Sequence, residues 1–238
     1  MVVKIYQAQF MQRIKRTPAV ESFRFLPEEK IDFAPGQFLR IIFDEKNPEN
    51  KDLNKYLSFS CAPGNNYIEV TKRLSTSEFS QKLNGLQLED EILVQAPLGN
   101  CIFKEEYKKI AFLIGGIGIT PVISIIEYII GKKLDTHTLL FYSNRSEEEI
   151  AFRKELDDWA GKNTNLKFFY TLTDSQAKDT KCIFGRIDKK LLLEYIKDPQ
   201  ERVFFIFGPP RMVEAMTGLS REIGAPQENI KTESFLGY

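Results

Sequence analysis

The chain has 238 residues, 42% hydrophobic and 28% charged, which suits one large or two small globular domains. Its 33 Lys+Arg balance 33 Asp+Glu, so no charge excess marks a nucleic-acid or membrane-surface protein. Three widely spaced cysteines (Cys61, Cys101, Cys182) and a lone histidine, His137, exclude a disulfide framework, a four-cysteine iron–sulfur cluster and a histidine-based metal site. Free thiols predict a cytoplasmic protein. The opening Met1-Val-Val-Lys-Ile-Tyr6 reads as a strand and not as a secretion signal.

Residues 2–10, 20–25, 38–43, 56–60, 67–72 and 91–95 are short and rich in Val, Ile, Phe and Tyr, with turn signals such as Ala34-Pro-Gly36 and Ala62-Pro-Gly-Asn-Asn66 between them. Six strands at this spacing predict an antiparallel β-barrel, interrupted by one helix over 77–83. After the charged bridge 103–109 the texture changes. Strands at 110–114, 138–142, 166–172 and 203–207 alternate with helices at 121–130, 147–159, 189–196 and 210–223, and a last strand spans 229–234. That alternation predicts βαβ units and a parallel sheet, hence an α/β domain. The expected domains are 1–104 and 105–238. His137 is expected at the surface beside a strand.

The stretch Ile110-Ala-Phe-Leu-Ile-Gly-Gly-Ile-Gly-Ile-Thr-Pro121 organises the second half. A buried strand, a glycine turn and a helix opened by Thr120 and Pro121 bring free N–H groups and the positive end of a helix dipole to one place. Such a place suits a pyrophosphate, and glycines let it approach. Two blander readings compete: a ligand-free strand–helix turn, or a membrane span over 110–130. Three glycines, a central proline and lysine pairs on both flanks speak against a span.

The motif Gly115-Gly116-x-Gly118-x-Thr120-Pro121 resembles the dinucleotide turn of the ferredoxin–NADP reductase family. Other motifs follow that family's order. Lys55-Tyr-Leu-Ser58 stands where the family has an Arg-x-Tyr-Ser flavin strand, Phe207-Gly-Pro-Pro-Arg-Met212 where it has Cys-Gly-Pro, and Glu233 and Phe235 where it has a terminal glutamate and aromatic. The resemblance implies FAD on the barrel domain, NAD(P)H on the α/β domain, and a C-terminal tail returning to the flavin. Lys55 would meet the flavin pyrophosphate, Leu57 would pack on the ring system, and Ser58 would hydrogen-bond near its reactive nitrogen. Phe59 and Ser60 continue that stretch, and Val70, Thr71 and Lys72 supply the next strand. Ser75, Thr76 and Ser77 occupy the family's phosphate-binding helix start. Gly115, Gly116, Gly118, Thr120 and Pro121 would hold the nicotinamide dinucleotide, with Thr120 helping to place the nicotinamide. Asn144 and Arg145 would meet its ribose, with a lean toward a 2′-phosphate unless Arg145 pairs with Glu147-Glu-Glu149. Gly208, Pro209 and Met212 would close the nicotinamide pocket, and Phe235 and Tyr238 would cover the flavin. Ser58, Glu233 and Thr120 are the implied catalytic groups.

Three matched positions depart from the family: lysine for arginine at 55, leucine for tyrosine at 57, and phenylalanine for cysteine at 207. Lysine keeps the charge but lacks arginine's bidentate fork. The resemblance implies hydride transfer from NAD(P)H to FAD, then electron delivery to a separate one-electron carrier (ferredoxin-like, haem or oxygenase component) or a small-molecule acceptor. The alternatives are a free-flavin reductase and a non-catalytic nucleotide-binding or docking module. FMN in place of FAD stays open.

Overall fold

A computed structural model describes residues 2–174 and 179–235. The chain forms two compact units. One comprises residues up to Phe103 with Thr120–Lys132, and the other Lys104–Ile119 with the chain from Lys133 onward.

The first unit is a six-stranded antiparallel sheet ordered β4-β3-β6-β1-β2-β5, from β1 (Lys4–Lys15), β2 (Val20–Pro27), β3 (Phe38–Ile42), β4 (Asn54–Ser58), β5 (Ile68–Arg73) and β6 (Glu91–Leu98). Alternation places the strands: in β1, Ala8 and Phe10 are buried between exposed Gln7, Gln9 and Met11. A register shift between Phe10 and Gln12 bends this strand. Just past β4, Phe59 bridges to Val70 of β5 and closes the sheet into a barrel. The interior is filled by Phe10, Phe23, Phe25, Phe59, Val70 and Val94, and α1 (Glu78–Gly85) adds Phe79 and Leu83. Phe33 stacks on Phe59 with ring centroids 3.7 Å apart. Burying each such aromatic side chain contributes about 1.5–3 kcal/mol. Helix α2 (Thr120–Gly131) also belongs to this unit. There the Glu127 carboxylate accepts a 2.5 Å hydrogen bond from the Ala62 amide and so pins the loop that follows β4.

The second unit is a six-stranded parallel sheet ordered β10-β9-β8-β7-β11-β12. Its strands are β7 (Lys109–Gly115), β8 (His137–Asn144), β9 (Leu166–Leu172), β10 (Cys182–Phe184), β11 (Val203–Gly208) and β12 (Ile230–Ser234). Ile110–Gly115 and Val203–Gly208 are buried without a break, as central parallel strands require. On one face α4 (Lys189–Tyr195) and α5 (Pro210–Glu222) bury Leu191, Leu192, Val213 and Met216 against Leu113, Leu139, Phe141 and Ile206. The stretch 110–130 is therefore a strand, a turn and a helix, and no helix among the described residues is long and apolar enough to cross a membrane.

Two expectations are corrected. The helix expected over 147–159 is a 3₁₀ turn at Glu147–Glu149 followed by α3 (Arg153–Lys162), with Phe152 between them at φ +60°. Ile150, Ala151 and Phe152 are all buried, and three consecutive residues cannot share one helix face. Packing overrides local propensity here, at about 1–2 kcal/mol for the left-handed residue. Strand β10 is an element that the sequence pattern does not predict. Its three residues, two of them exposed, are too few to show a period. His137 opens β8 half-buried, and its Nδ1 lies 3.1 Å from Arg202 Nη2, so it is not a free surface side chain.

Candidate functional site

The α/β unit contains the sharper half-site. Its chain builds β7, β8, β9 and β10 outward in one direction, then returns to place β11 on the other flank of β7. That reversal is a topological switch point, and open parallel sheets bind ligands beyond the strand ends there. The glycine turn leaves β7 and the Gly208-Pro209 turn leaves β11, so the two motifs emerge side by side. Their glycines serve different ends. A Cβ on Gly118 would stand 2.5 Å from the Phe207 carbonyl oxygen, and one on Gly115 would collide with the Met212 thioether. These two glycines let the turns pack on each other. Gly116 differs: it sits at φ +52° with nothing within 4 Å of its Cβ position. Only there does the backbone present an open, side-chain-free surface to a ligand.

The chain runs from this turn into α2 through Thr120 and Pro121, both buried. Pro209 caps α5, whose first residue is Pro210, and Met212 begins its first turn. Phe207, at the family's cysteine position, is fully buried beside Phe205. Asn144 ends β8 buried, and neither side-chain amide atom has a hydrogen-bond partner. Such orphaned polar atoms are costly unless something satisfies them. The neighbouring Arg145 is exposed, and Glu147 accepts a hydrogen bond from the Asp179 amide. Glu233 lies on β12 in register with Phe207, and burial alone pushes its carboxyl up to about 7. Phe235 follows, its amide bonded to the Gly208 carbonyl at 3.0 Å. Tyr238 lies outside the described residues.

The barrel unit contains the other half-site. Ser58 ends β4, buried and in register with Phe38, and Leu57 is half-buried against the barrel core. Lys55 on β4 and Lys72 on β5 have no carboxylate partner among the described residues. Burial first and Lys55 second hold the Lys72 ammonium below its ordinary value. An anion beside Lys72 would ease both costs. The sequence pattern places Lys72 on the neighbouring strand; its partial burial and the Lys55 charge near it come from the tertiary structure.

The hydroxyl turn is less open. Ser77 caps α1 by accepting from the Ser80 amide, and Ser75, Ser77 and Ser80 bond one another at 3.0–3.2 Å. Ser75, Thr76 and Ser77 remain exposed. The side chains of Phe59 and Val70 belong to the barrel core, and those of Ser60 and Thr71 are buried and bonded to each other at 2.7 Å. Among the described residues no group of three or more His, Cys, Asp or Glu could hold a metal.

Two units, an antiparallel barrel and a parallel α/β sheet with its switch point, make up the described fold. Residues 112–218 match the family described as oxidoreductase NAD-binding domain. The chain is 28% identical over 229 residues to a flavohemoprotein of Bacillus subtilis, covering 93% of this chain and 57% of that protein. Against NADH-cytochrome b5 reductase 1 of Dictyostelium discoideum it is 34% identical over 146 residues, covering 60% and 51%. The chain thus spans little more than half the length of these relatives. Its fold is that of ferredoxin reductases: a ferredoxin NADP+ reductase from Neisseria gonorrhoeae, solved with bound FAD and NADP, superposes with a TM-score of 0.82. That match holds at 22% identity over 97% of this chain and 98% of that one.

Proposed function

We propose that this protein is an NAD(P)H-dependent flavin oxidoreductase, with FAD held by the barrel domain (1–104) and the nicotinamide nucleotide by the α/β domain (105–238). The observation that carries the reading is the meeting of the two glycine turns at the switch point of the parallel sheet. FAD, when bound, supplies the hydride-accepting ring and the means to pass electrons on one at a time. The chain's residues bind and orient. Lys55 and Lys72 neutralise the flavin pyrophosphate, aided by the exposed hydroxyls of Ser75, Thr76 and Ser77. Phe59, Ser60, Val70 and Thr71 offer main chain only, because their side chains are turned into the protein. Ser58 donates a hydrogen bond at the flavin's reactive edge. Leu57 gives the ring an apolar, non-aromatic wall.

On the α/β side Gly116 exposes backbone to the nucleotide phosphates, and Gly115, Gly118, Gly208, Pro209 and Met212 fix the shape of that floor. Thr120 and Pro121 set the direction of the helix that follows. Asn144 gains partners for its orphaned amide from the ribose, and Arg145 meets a 2′-phosphate where one is present. Glu233, whose carboxyl is pushed up to about 7 by burial, holds a proton beside the glycine turns. The electron acceptor is a separate carrier (ferredoxin-like, haem or oxygenase component) or a small molecule, since the chain has too few cysteines for a cluster of its own. Three free cysteines suit a reducing cytoplasm.

The test is a visible absorption spectrum of the purified protein, followed by anaerobic addition of NADH or NADPH. A yellow protein bleached by one of them supports the reading and gives its preference. A colourless protein that takes up neither FAD nor FMN overturns it in favour of a non-catalytic module. Flavin that is bleached but lost on gel filtration favours a free-flavin reductase, the reading that Leu57 makes plausible. A Ser58→Ala variant with full flavin and full hydride-transfer rate would sink the role given to Ser58.

A further inference from the structure

The seam that closes the barrel carries charge. Besides the Phe59–Val70 bridge, the Ser60 amide donates to the Glu69 carbonyl at 2.8 Å. On the polar side of this seam Ser22, Ser60, Glu69 and Thr71 are each no more than 2% exposed. Arg16 Nε donates to Ser22 Oγ at 2.7 Å, the Ser22 and Thr71 hydroxyls lie 2.6 Å apart, and those of Thr71 and Ser60 2.7 Å apart. Ser60 Oγ then donates to Glu69 Oε1 at 3.2 Å, and Arg16 Nη2 returns to that oxygen at 3.1 Å. The five side chains form a closed ring. Arg24 Nε donates from outside it to Glu69 Oε2 at 2.8 Å.

The ring fixes its own protons. Each hydroxyl has one proton to give. That of Ser60 goes to the carboxylate, so Thr71 donates to Ser60 and Ser22 to Thr71, which leaves the Ser22 oxygen to accept from Arg16. Every bond runs from guanidinium toward carboxylate, and the order requires an ionised Glu69. Aligned bonds in a buried setting strengthen one another. Holding two strands together does not need this, because apolar residues of equal volume stabilise a seam at least as well as a buried ion pair. What the ring adds is orientation. It fixes Ser60, two residues past Ser58, and Thr71, directly before Lys72.

We infer that the Arg16–Ser22–Thr71–Ser60–Glu69 ring is a positioning device for the flavin half-site, holding β4 beyond Ser58 and β5 before Lys72 in the placement that FAD binding uses. This rests on the reading of the barrel as FAD-binding. Its side chains act through Ser58 and the two lysines, not by touching the cofactor.

Ser22→Ala opens the ring at a β2 residue that has no place in the half-site. Glu69→Gln keeps the shape but removes the charge on which the proton order ends. The measurements are the FAD dissociation constant, by flavin fluorescence, and the visible circular dichroism of bound FAD. Ser22→Ala should weaken FAD by about three- to tenfold, the usual scale for a buried hydrogen bond left unmade, and change the flavin dichroism. Glu69→Gln should do more. A Ser22→Ala protein with a lower melting temperature but unchanged FAD affinity and dichroism overturns the positioning role. If that variant does not fold, Glu69→Gln decides by the same two measurements. A wild-type protein that binds no FAD fells the flavin reading and this inference together, whereas a yellow wild type with unaffected variants fells the ring alone.

Discussion

The two units offer phosphate groups different things. In the α/β unit the candidate site is backbone: Gly116 stands open, and Gly115 and Gly118 exist so that two turns can touch. In the barrel unit the helix start is already capped and its hydroxyls bond one another, so in the proposed reading charge at Lys55 and Lys72 would do more of the binding. A backbone site is set by sterics and tolerates almost no side chain. A charge site depends on where a cation can reach, and a lysine can stand where relatives have arginine.

The largest expected effect tests the steric half. Gly118→Ala sets a Cβ 2.5 Å from a backbone carbonyl that cannot move aside. It should cost about 1–3 kcal/mol of stability and weaken nicotinamide-nucleotide binding with it. Gly116→Ala should cost only about 1–2 kcal/mol, from its left-handed backbone, while narrowing the open surface. Thermal melts with calorimetric NADH and NADPH titrations check both. Equal losses of stability and affinity in the two variants would erase the distinction between packing glycine and ligand glycine.

Next comes the charged half. Lys55→Ala and Lys72→Ala should each weaken FAD by roughly tenfold, the scale of one charge-assisted hydrogen bond, and reduce the salt dependence of its affinity. Ser77→Ala should instead show as about 1 kcal/mol of lost helix capping with a smaller change in FAD affinity. FAD titrations at two ionic strengths test this, and a Ser77 effect larger than the lysine effects would reverse the ranking.

A smaller effect concerns Glu233. Its carboxyl is pushed up from 4.5 to about 7 by burial, so between those values the folded chain holds a proton that the unfolded chain has lost. Stability therefore falls as pH rises through that window and levels off above it. Glu233→Gln should flatten this part of the melting profile, by a few degrees at neutral pH. Superimposable profiles of wild type and variant would remove Glu233 as a proton holder.

The smallest effect is expected at Arg145, which is exposed. Arg145→Ala should raise KM for NADPH several-fold and leave KM for NADH and both kcat values nearly unchanged. Parallel changes for the two nucleotides would assign Arg145 to the shared phosphates instead of the 2′-phosphate.

Composition and periodicity determined much of this protein. Short segments rich in Val, Ile, Phe and Tyr between turn signals gave the barrel strands, an unbroken apolar run gave the strand before the glycine turn, and Gly115 to Pro121 marked that turn, because each of those signals is local. The split of 147–159 at Phe152 was hidden: burying Ile150, Ala151 and Phe152 together depends on what surrounds them. Strand β10 exists only as a partner for β9. The tertiary structure alone decided that Gly118 answers to the Phe207 carbonyl, that the Lys55 charge bears on Lys72, and that five polar side chains from β2, β5 and the segments just past β1 and β4 close a ring. Those are relations between residues far apart in the chain, and a linear pattern carries no distance between strands that the fold has yet to bring together.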